Sequence, residues 1–285
     1  MFLNRLMSGI VLLVLLVAGF VLGGWFLLAL LLFAALVGFL ELTRTIHPEG
    51  KLAADGSFLP MHKCALSQPE FFGILATVCY YAVMGFFPGD IVPSVIVTGA
   101  FMMAMLTIYV VNFPKVKLAE LSATVFSFFY CPMLLSFVFM SRELNRTMVW
   151  MILISAWGCD TCAYCVGKLI GKHKIFPVLS PKKSLEGCIG GVLGASILAF
   201  LYGYFYVNVV EGQTSLRIPL LLSLVAAVAA VMSMVGDLAA SALKREHGIK
   251  DYGHLIPGHG GIMDRFDSIL MTAPATFILC MLFVK

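Results

Sequence analysis

Long uncharged runs dominate the chain. After Arg5 no charged residue occurs from Leu6 to Leu40. At 1.5 Å per residue that run would make a helix roughly 50 Å long, too long for one crossing of a hydrocarbon core about 30 Å thick. Gly23 and Gly24 divide it in two. The same reading along the chain predicts nine spans, at about 6–22, 25–41, 71–88, 91–111, 118–140, 147–167, 188–208, 218–240 and 266–284. Each comes close to the ~20 residues that a spanning helix needs. None shows strand alternation, and in lipid a segment outside a closed barrel satisfies its backbone only as a helix. The pattern predicts an all-α, polytopic integral membrane protein with about nine transmembrane helices. The first apolar run lacks the short core and small-x-small site of a cleaved signal, so it reads as a helical hairpin that stays.

Composition sharpens this picture. The chain is 61% hydrophobic and 12% charged, against roughly 25% charged for a soluble domain. No basic face interleaved with aromatics occurs, which argues against nucleic acid as a partner. The eight cysteines mostly sit inside apolar runs and read as small buried hydrophobes. Cys159, Cys162 and Cys165 recur every three residues, but no fourth ligand with matching spacing accompanies them, so packing is the simpler reading.

Lys and Arg are unevenly distributed. The loops 43–70, 112–117, 168–187 and 241–265 hold fourteen of the nineteen, and the opposite set with both termini holds five. The positive-inside rule then puts the rich loops, and any site on them, at the cytoplasmic face of the inner (plasma) membrane. Segment 43–70, with Pro48, Gly50, Gly56, Pro60 and Pro69, reads as a linker or small cap without chemistry. Residues 1–140 form an N-terminal set of about five spans. Residues 141–285 form a C-terminal set that carries the polar motifs on loops 168–187 and 241–265.

Three polar constellations stand out. The first is Asp160-Thr161 with Tyr164 late in the sixth span. An acid within a span is a functional hypothesis by default, and Tyr164 at i+4 shares its face; a single interhelical hydrogen bond is the bland alternative. The second is Ser180-Pro181-Lys182-Lys183-Ser184-Leu185-Glu186-Gly187. A proline stops one element, paired lysines follow, and Ser184 with Glu186 opens the next helix. Exposed N–H groups at a helix start, with lysines beside them, attract phosphate, although lysines alone would serve as ordinary positive-inside flanks. The third runs from Asp237 through Ser241, Lys244, Arg245, Lys250 and Asp251 to His259-Gly260-Gly261, Asp264 and Asp267. A helix puts Asp237, Ser241 and Lys244 on one face. Asp264 and Asp267 sit one turn apart at the start of the last span, with Arg265 as a possible neutralising neighbour. Two acid-bearing helix ends can converge on a hard cation such as Mg2+, which takes one or two carboxylates, substrate phosphates and water.

The third passage resembles the signature of the phosphatidate cytidylyltransferase (CDP-diacylglycerol synthase) family. Ser241-Ala-Leu-Lys244-Arg245, Lys250-Asp251 and His259-Gly260-Gly261-Ile-Met-Asp264-Arg265-Phe266-Asp267 match every fixed position of that pattern. The likeness extends to Asp160-Thr161 with Tyr164 and Gly167, and to Ser180 through Gly187. Cys162 and Cys165 stand where small residues are expected, and the first 140 residues carry no motif beyond hydropathy. The resemblance implies transfer of CMP from CTP to phosphatidic acid in the bilayer, giving CDP-diacylglycerol and pyrophosphate without a covalent enzyme intermediate. It implies Mg2+, held by Asp237 and Asp264 first, with Asp267 and Asp251 in support. Family members can also hold a monovalent cation such as K+, which the sequence does not decide. It implies that Lys244, Arg245 and Lys250 hold CTP phosphates, with Lys182, Lys183 and Ser184 on the other wall, and that His259, Gly260 and Gly261 donate close to phosphate. Asp160, Tyr164, Glu186 and Ser241 complete the expected substrate contacts. A homodimer is plausible from the family, but no span reads as a sharp Gly-x-x-x-Gly face. The rival classes are a CTP-using lipid-alcohol kinase, a synthase acting on an ether lipid, a cation transporter lined by Asp160, Asp237 and Asp264, and a membrane scaffold.

Overall fold

A computed structural model describes residues 2–46, 66–177, 179–210, 212, 215–253, 255 and 260–284. Most of linker 43–70 and His259 lie outside these. The described helices are α1 Phe2–Leu22, α2 Gly24–Ile46, α3 Gln68–Phe86, α4 Val92–Val111, α5 Leu118–Leu144, α6 Arg146–Ile170, α7 Leu185–Tyr204, α8 Arg217–Glu246 and α9 Met263–Phe283. The last eight are long and apolar enough to cross a membrane, and α1 is apolar over Gly9–Leu22. The protein is therefore an all-α polytopic membrane protein. Lys174 and Ser184 form an isolated extended bridge.

The chain divides into two compact units. The first comprises Met1–Phe139 and Glu246–Arg265, and the second Met140–Arg245 and Phe266–Lys285. Segment Glu246–Arg265 belongs to the first unit, where Glu41 accepts from its backbone.

In the first unit, Gly23 and Gly24 take positive φ (64° and 49°), which lets α1 turn into α2. Ser67 and Glu70 form a reciprocal capping box at the start of α3. The core is built on Leu27, Leu31, Phe39, Leu42, Tyr81, Met105 and Phe128, all buried. The Tyr81 hydroxyl donates to the Pro132 carbonyl (3.0 Å), inside a π-helical turn of α5 at Phe129–Met133. One side of α4 packs in the unit through Phe101, Met105 and Ile108, and the rest is open: Met103 is 67% and Val110 73% exposed, as expected of side chains facing lipid.

In the second unit, α6 and α7 pack closely. Their contact runs along Gly187, Gly191 and Ala195, where a Cβ on Gly191 would sit 2.9 Å from the Ala163 Cβ and 3.0 Å from the Cys159 carbonyl oxygen. This corrects the expectation that no span carries a sharp small-residue face. Gly187, Gly191, Ala195, Ala199 and Gly203 form a buried stripe at every fourth position of α7, used within the chain. Gly203 meets Pro219 and Leu222 of α8. Small apolar clusters complete the unit: Met151, Ala199, Leu222 and Ala226, and Cys159 with Ala195 and Ala230. Cys159 is thus a packing residue whose thiol approaches the Ala230 carbonyl (3.8 Å). Cys165 is exposed.

Candidate active site

The second unit brings acids and lysines from all three polar constellations together. A π-helical turn at Ile154–Gly158 widens α6 just before Asp160. Such a turn fits an extra residue into the helix, rotates the face that follows, and occurs often at functional sites. Asp160 accepts a hydrogen bond from the Ser268 hydroxyl and lies within electrostatic reach of Asp237 and Lys183. Asp267 lies within reach of Asp237, Asp160 and Lys244. Lys183 Nζ stands 2.6 Å from Asp237 Oδ2, with 21% and 31% of the two side chains exposed. The two form an ion pair, and an ammonium has three N–H donors, so the pair does not exhaust what Lys183 can offer an incoming phosphate.

Backbone geometry explains this convergence. At 30 residues, α8 extends about 45 Å, past the expected end at 240, so Asp237, Ser241 and Lys244 stay on one helical face. Gly248, at φ 68°, follows the helix. Gly236 lets α8 approach α9: a Cβ there would stand 2.6 Å from the Asp267 carbonyl oxygen. The glycine beside Asp237 is thus what lets Asp237 and Asp267 draw near.

The loop that carries Lys183 is folded against α7. The Ser184 side chain caps α7 by accepting from the Gly187 N–H (3.2 Å), as its place before Leu185 predicts. Ser184 is buried. The Glu186 carboxylate accepts from the backbone N–H of Lys172 (3.0 Å) and His173 (3.2 Å) and pairs with His173 Nδ1 (2.6 Å). Glu186 therefore straps the loop shut through contacts within the protein. Lys174 Nζ donates to the Lys182 carbonyl (3.1 Å). The Lys182 side chain is exposed. Tyr164 is 68% exposed and lies beside Lys168, whose Nζ is 5.9 Å from the ring centroid, so sharing a face with Asp160 does not bring it into the acid cluster.

Within the first unit, Asp264 Oδ2 accepts from the N–H of Tyr252 (2.9 Å) and of Gly261 (3.0 Å). Gly260 has φ 87°, and a Cβ there would lie 2.8 Å from Asp264 Oδ2 and 3.5 Å from the Asp251 Cβ. One oxygen of Asp264 is thus committed to closing the loop. Lys250 and Asp251 are exposed here, and Arg245 is exposed at the end of α8 in the second unit.

Glu41 completes this arrangement and was not singled out from the sequence. It is fully buried in α2. Its Oε1 accepts from the Ile262 N–H (3.1 Å) and its Oε2 from the Met263 N–H (2.9 Å), at the first residue of α9. The signal was present: Glu41 is the first acid of the chain, at the end of an apolar span. An ionisable residue there needs a partner.

The donor chemistry of the second unit suits Mg2+: Asp160, Asp237 and Asp267 offer hard oxygens beside Lys183 and Lys244. Among the described residues no three His, Cys, Asp or Glu side chains close into a ligand cage.

Comparison with known proteins adds a family. The cytidylyltransferase family profile matches residues 3–283. The chain is 32% identical over 259 residues to the phosphatidate cytidylyltransferase of Bacillus subtilis (strain 168), covering 88% of this chain and 93% of that protein. It is 41% identical over 143 residues to the phosphatidate cytidylyltransferase of Thermotoga maritima, covering 48% of this chain and 50% of that protein. It is 45% identical over 123 residues to that of Haemophilus influenzae, covering 43% of this chain and 42% of that protein.

Proposed function

The chain belongs to the cytidylyltransferase family, and from that membership we propose that it transfers CMP from CTP to phosphatidic acid, yielding CDP-diacylglycerol and pyrophosphate. The observation that carries the reading is the meeting of Asp160, Lys183, Asp237, Lys244 and Asp267 in one unit. Lysines bind the phosphates of two polyanions, and the acids beside them suit a cation. A transporter lined by the acids would need no such lysines among them.

The lipid supplies its own nucleophile. An oxygen of the phosphatidate monoester attacks the α-phosphorus of CTP. A new P–O–P linkage forms, the bond from the α-phosphorus to the bridging β-oxygen breaks, and pyrophosphate leaves. No enzyme side chain needs to carry the CMP group. The protein's task is positioning and charge stabilisation. Lys183 and Lys244 neutralise CTP phosphates, with Lys182, Ser184, Arg245, Lys250, His259, Gly260 and Gly261 as further contacts. Asp160, Tyr164 and Ser241 face substrate. Glu186 acts through the Lys172–Ser184 loop that it straps. Asp237 and Asp267 of the second unit would hold Mg2+, and Asp264 and Asp251 of the first unit are further candidate ligands from the family signature. An ion held there would offset phosphate charge and favour departure of pyrophosphate. A second, monovalent cation such as K+ would draw on the same kind of hard oxygen ligand. The site faces the cytoplasm of a bacterial plasma membrane, the side on which the Lys- and Arg-rich loops are expected.

The test is purified protein in detergent with phosphatidate, Mg2+ and CTP, scored for pyrophosphate and for CDP. Pyrophosphate that depends on phosphatidate supports the reading. CDP formed only with a lipid alcohol would make the chain a kinase and overturn it.

Two variants probe the geometry. Lys183→Ala removes the cation that spans Asp237 and the open donor space. The apparent KM for CTP should rise about 10-fold or more, in line with a charge-assisted contact of about 1.5–3 kcal/mol; an unchanged KM would remove Lys183 from the nucleotide wall. Gly236→Ala should push α8 and α9 apart at Asp237 and Asp267. Turnover should fall about 10-fold or more, with a stability loss of about 1–3 kcal/mol seen by thermal unfolding.

A further inference from the structure

Glu41 lies outside every motif of the chain, yet it organises the longest of them. Its carboxylate takes two consecutive backbone N–H groups, of Ile262 and Met263. These are orphan donors at the positive end of the α9 dipole, where a carboxylate is most favourable. Gly253 and Gly261 lie against the same carboxylate, and a Cβ on either would overlap it. Asp264 takes the next two N–H groups, of Tyr252 and Gly261. Four backbone donors from one loop thus close on two carboxylates. Asp264 is supplied by the loop itself, and Glu41 by a helix more than two hundred residues earlier. The first turn of α9 is also seated on α2 at Gly38, where a Cβ would come within 3.3 Å of the Met263 sulfur.

A fully buried carboxylate is costly unless its oxygens are satisfied. Both carboxylate oxygens of Glu41 are satisfied by the loop backbone. Its order and the loop's order are therefore one quantity.

We propose that Glu41 is a positioning residue for the transfer reaction: it clamps Gly253 and residues 261–263 in the arrangement that presents Asp264 and the signature residues around it to CTP. The proposal rests on the reading of that signature as part of the nucleotide site. In this view Gly253 and Gly261 are small because Glu41 occupies the space their side chains would need.

Glu41→Gln keeps size but sets an NH2 group against one of the two N–H donors. With the full chain in detergent, kcat/KM for CTP should fall about 10²-fold, the scale of a small misplacement of reacting groups. KM for phosphatidate should stay within about twofold, and Glu41→Asp should recover part of the loss. Amide exchange of a peptide spanning 252–263 should speed up in Glu41→Gln, with exchange in α3 and α4 unchanged. Gly261→Ala should lower kcat/KM strongly in the wild-type background and little further in Glu41→Ala, because the overlap is gone.

Unchanged exchange in that peptide overturns the proposal whatever the activity. So does wild-type kcat/KM in Glu41→Gln, or a loss fully accounted for by unfolded protein. If the wild-type protein forms no CDP-diacylglycerol, the functional reading fails instead, and faster loop exchange in Glu41→Gln then leaves a structural clamp without the proposed role in transfer.

Discussion

Asp267→Asn should reduce turnover by about 10³-fold while the melting temperature holds or rises. The two effects have separate causes. As a proposed Mg2+ ligand, Asp267 contributes several kcal/mol of charge stabilisation at the reacting phosphates, and each 1.36 kcal/mol is a factor of ten. In the folded protein without substrate, the same carboxylate is half-buried and faces Asp237 and Asp160, with Lys244 as its positive neighbour. Three acids then stand against two lysines, Lys183 and Lys244. Removing one negative charge relieves both repulsion and the cost of withholding a charge from water. A residue kept for architecture would behave the other way, losing stability and activity together. Steady-state turnover beside thermal unfolding distinguishes them. A clear fall in melting temperature with turnover retained would end the assignment of Asp267 to catalysis.

Asp264 calls for a paired test, because it is bound into the loop as well as being a proposed ligand. Asp264→Asn retains a carbonyl oxygen that can accept from Tyr252 and Gly261, as Oδ2 does now. It loses only the charge. The loop should persist, and turnover should fall about 10³-fold. Asp264→Ala removes the acceptor too and leaves two backbone donors without it, each costing roughly 1–3 kcal/mol where buried. The alanine variant should therefore be inactive and less stable, whereas the asparagine variant should be inactive and stable. Activity close to wild type in Asp264→Asn would leave this residue the loop role alone.

Much of this molecule is readable along the chain. Gly23 and Gly24 divide the first long apolar run, and both take the positive φ that a tight turn requires. Ser184 caps the helix it precedes. The structure adds partners and lengths that a local signal does not carry. Hydropathy ends the eighth span near 240, but the helix continues to Glu246, since polar residues leave the bilayer without leaving the helix. Glu186 looks like a phosphate-site residue from its neighbours, yet its carboxylate is occupied by Lys172 and His173. Tyr164 shares a helical face with Asp160 and still points to Lys168.

The sequence by itself determined that this chain is a bundle of membrane-crossing helices, and which polar passages break the apolar pattern. Both depend on the spacing of neighbouring residues and on the length needed to cross a bilayer. Only the tertiary structure decided which charges meet. Lys183 and Asp237 are paired by helix packing that glycines permit, and Asp267 joins them because Gly236 has no side chain. Glu41 reaches the start of α9 from the other end of the chain. No spacing rule predicts such contacts, because a buried charge is satisfied by whichever donors the fold brings to it, at any distance in sequence.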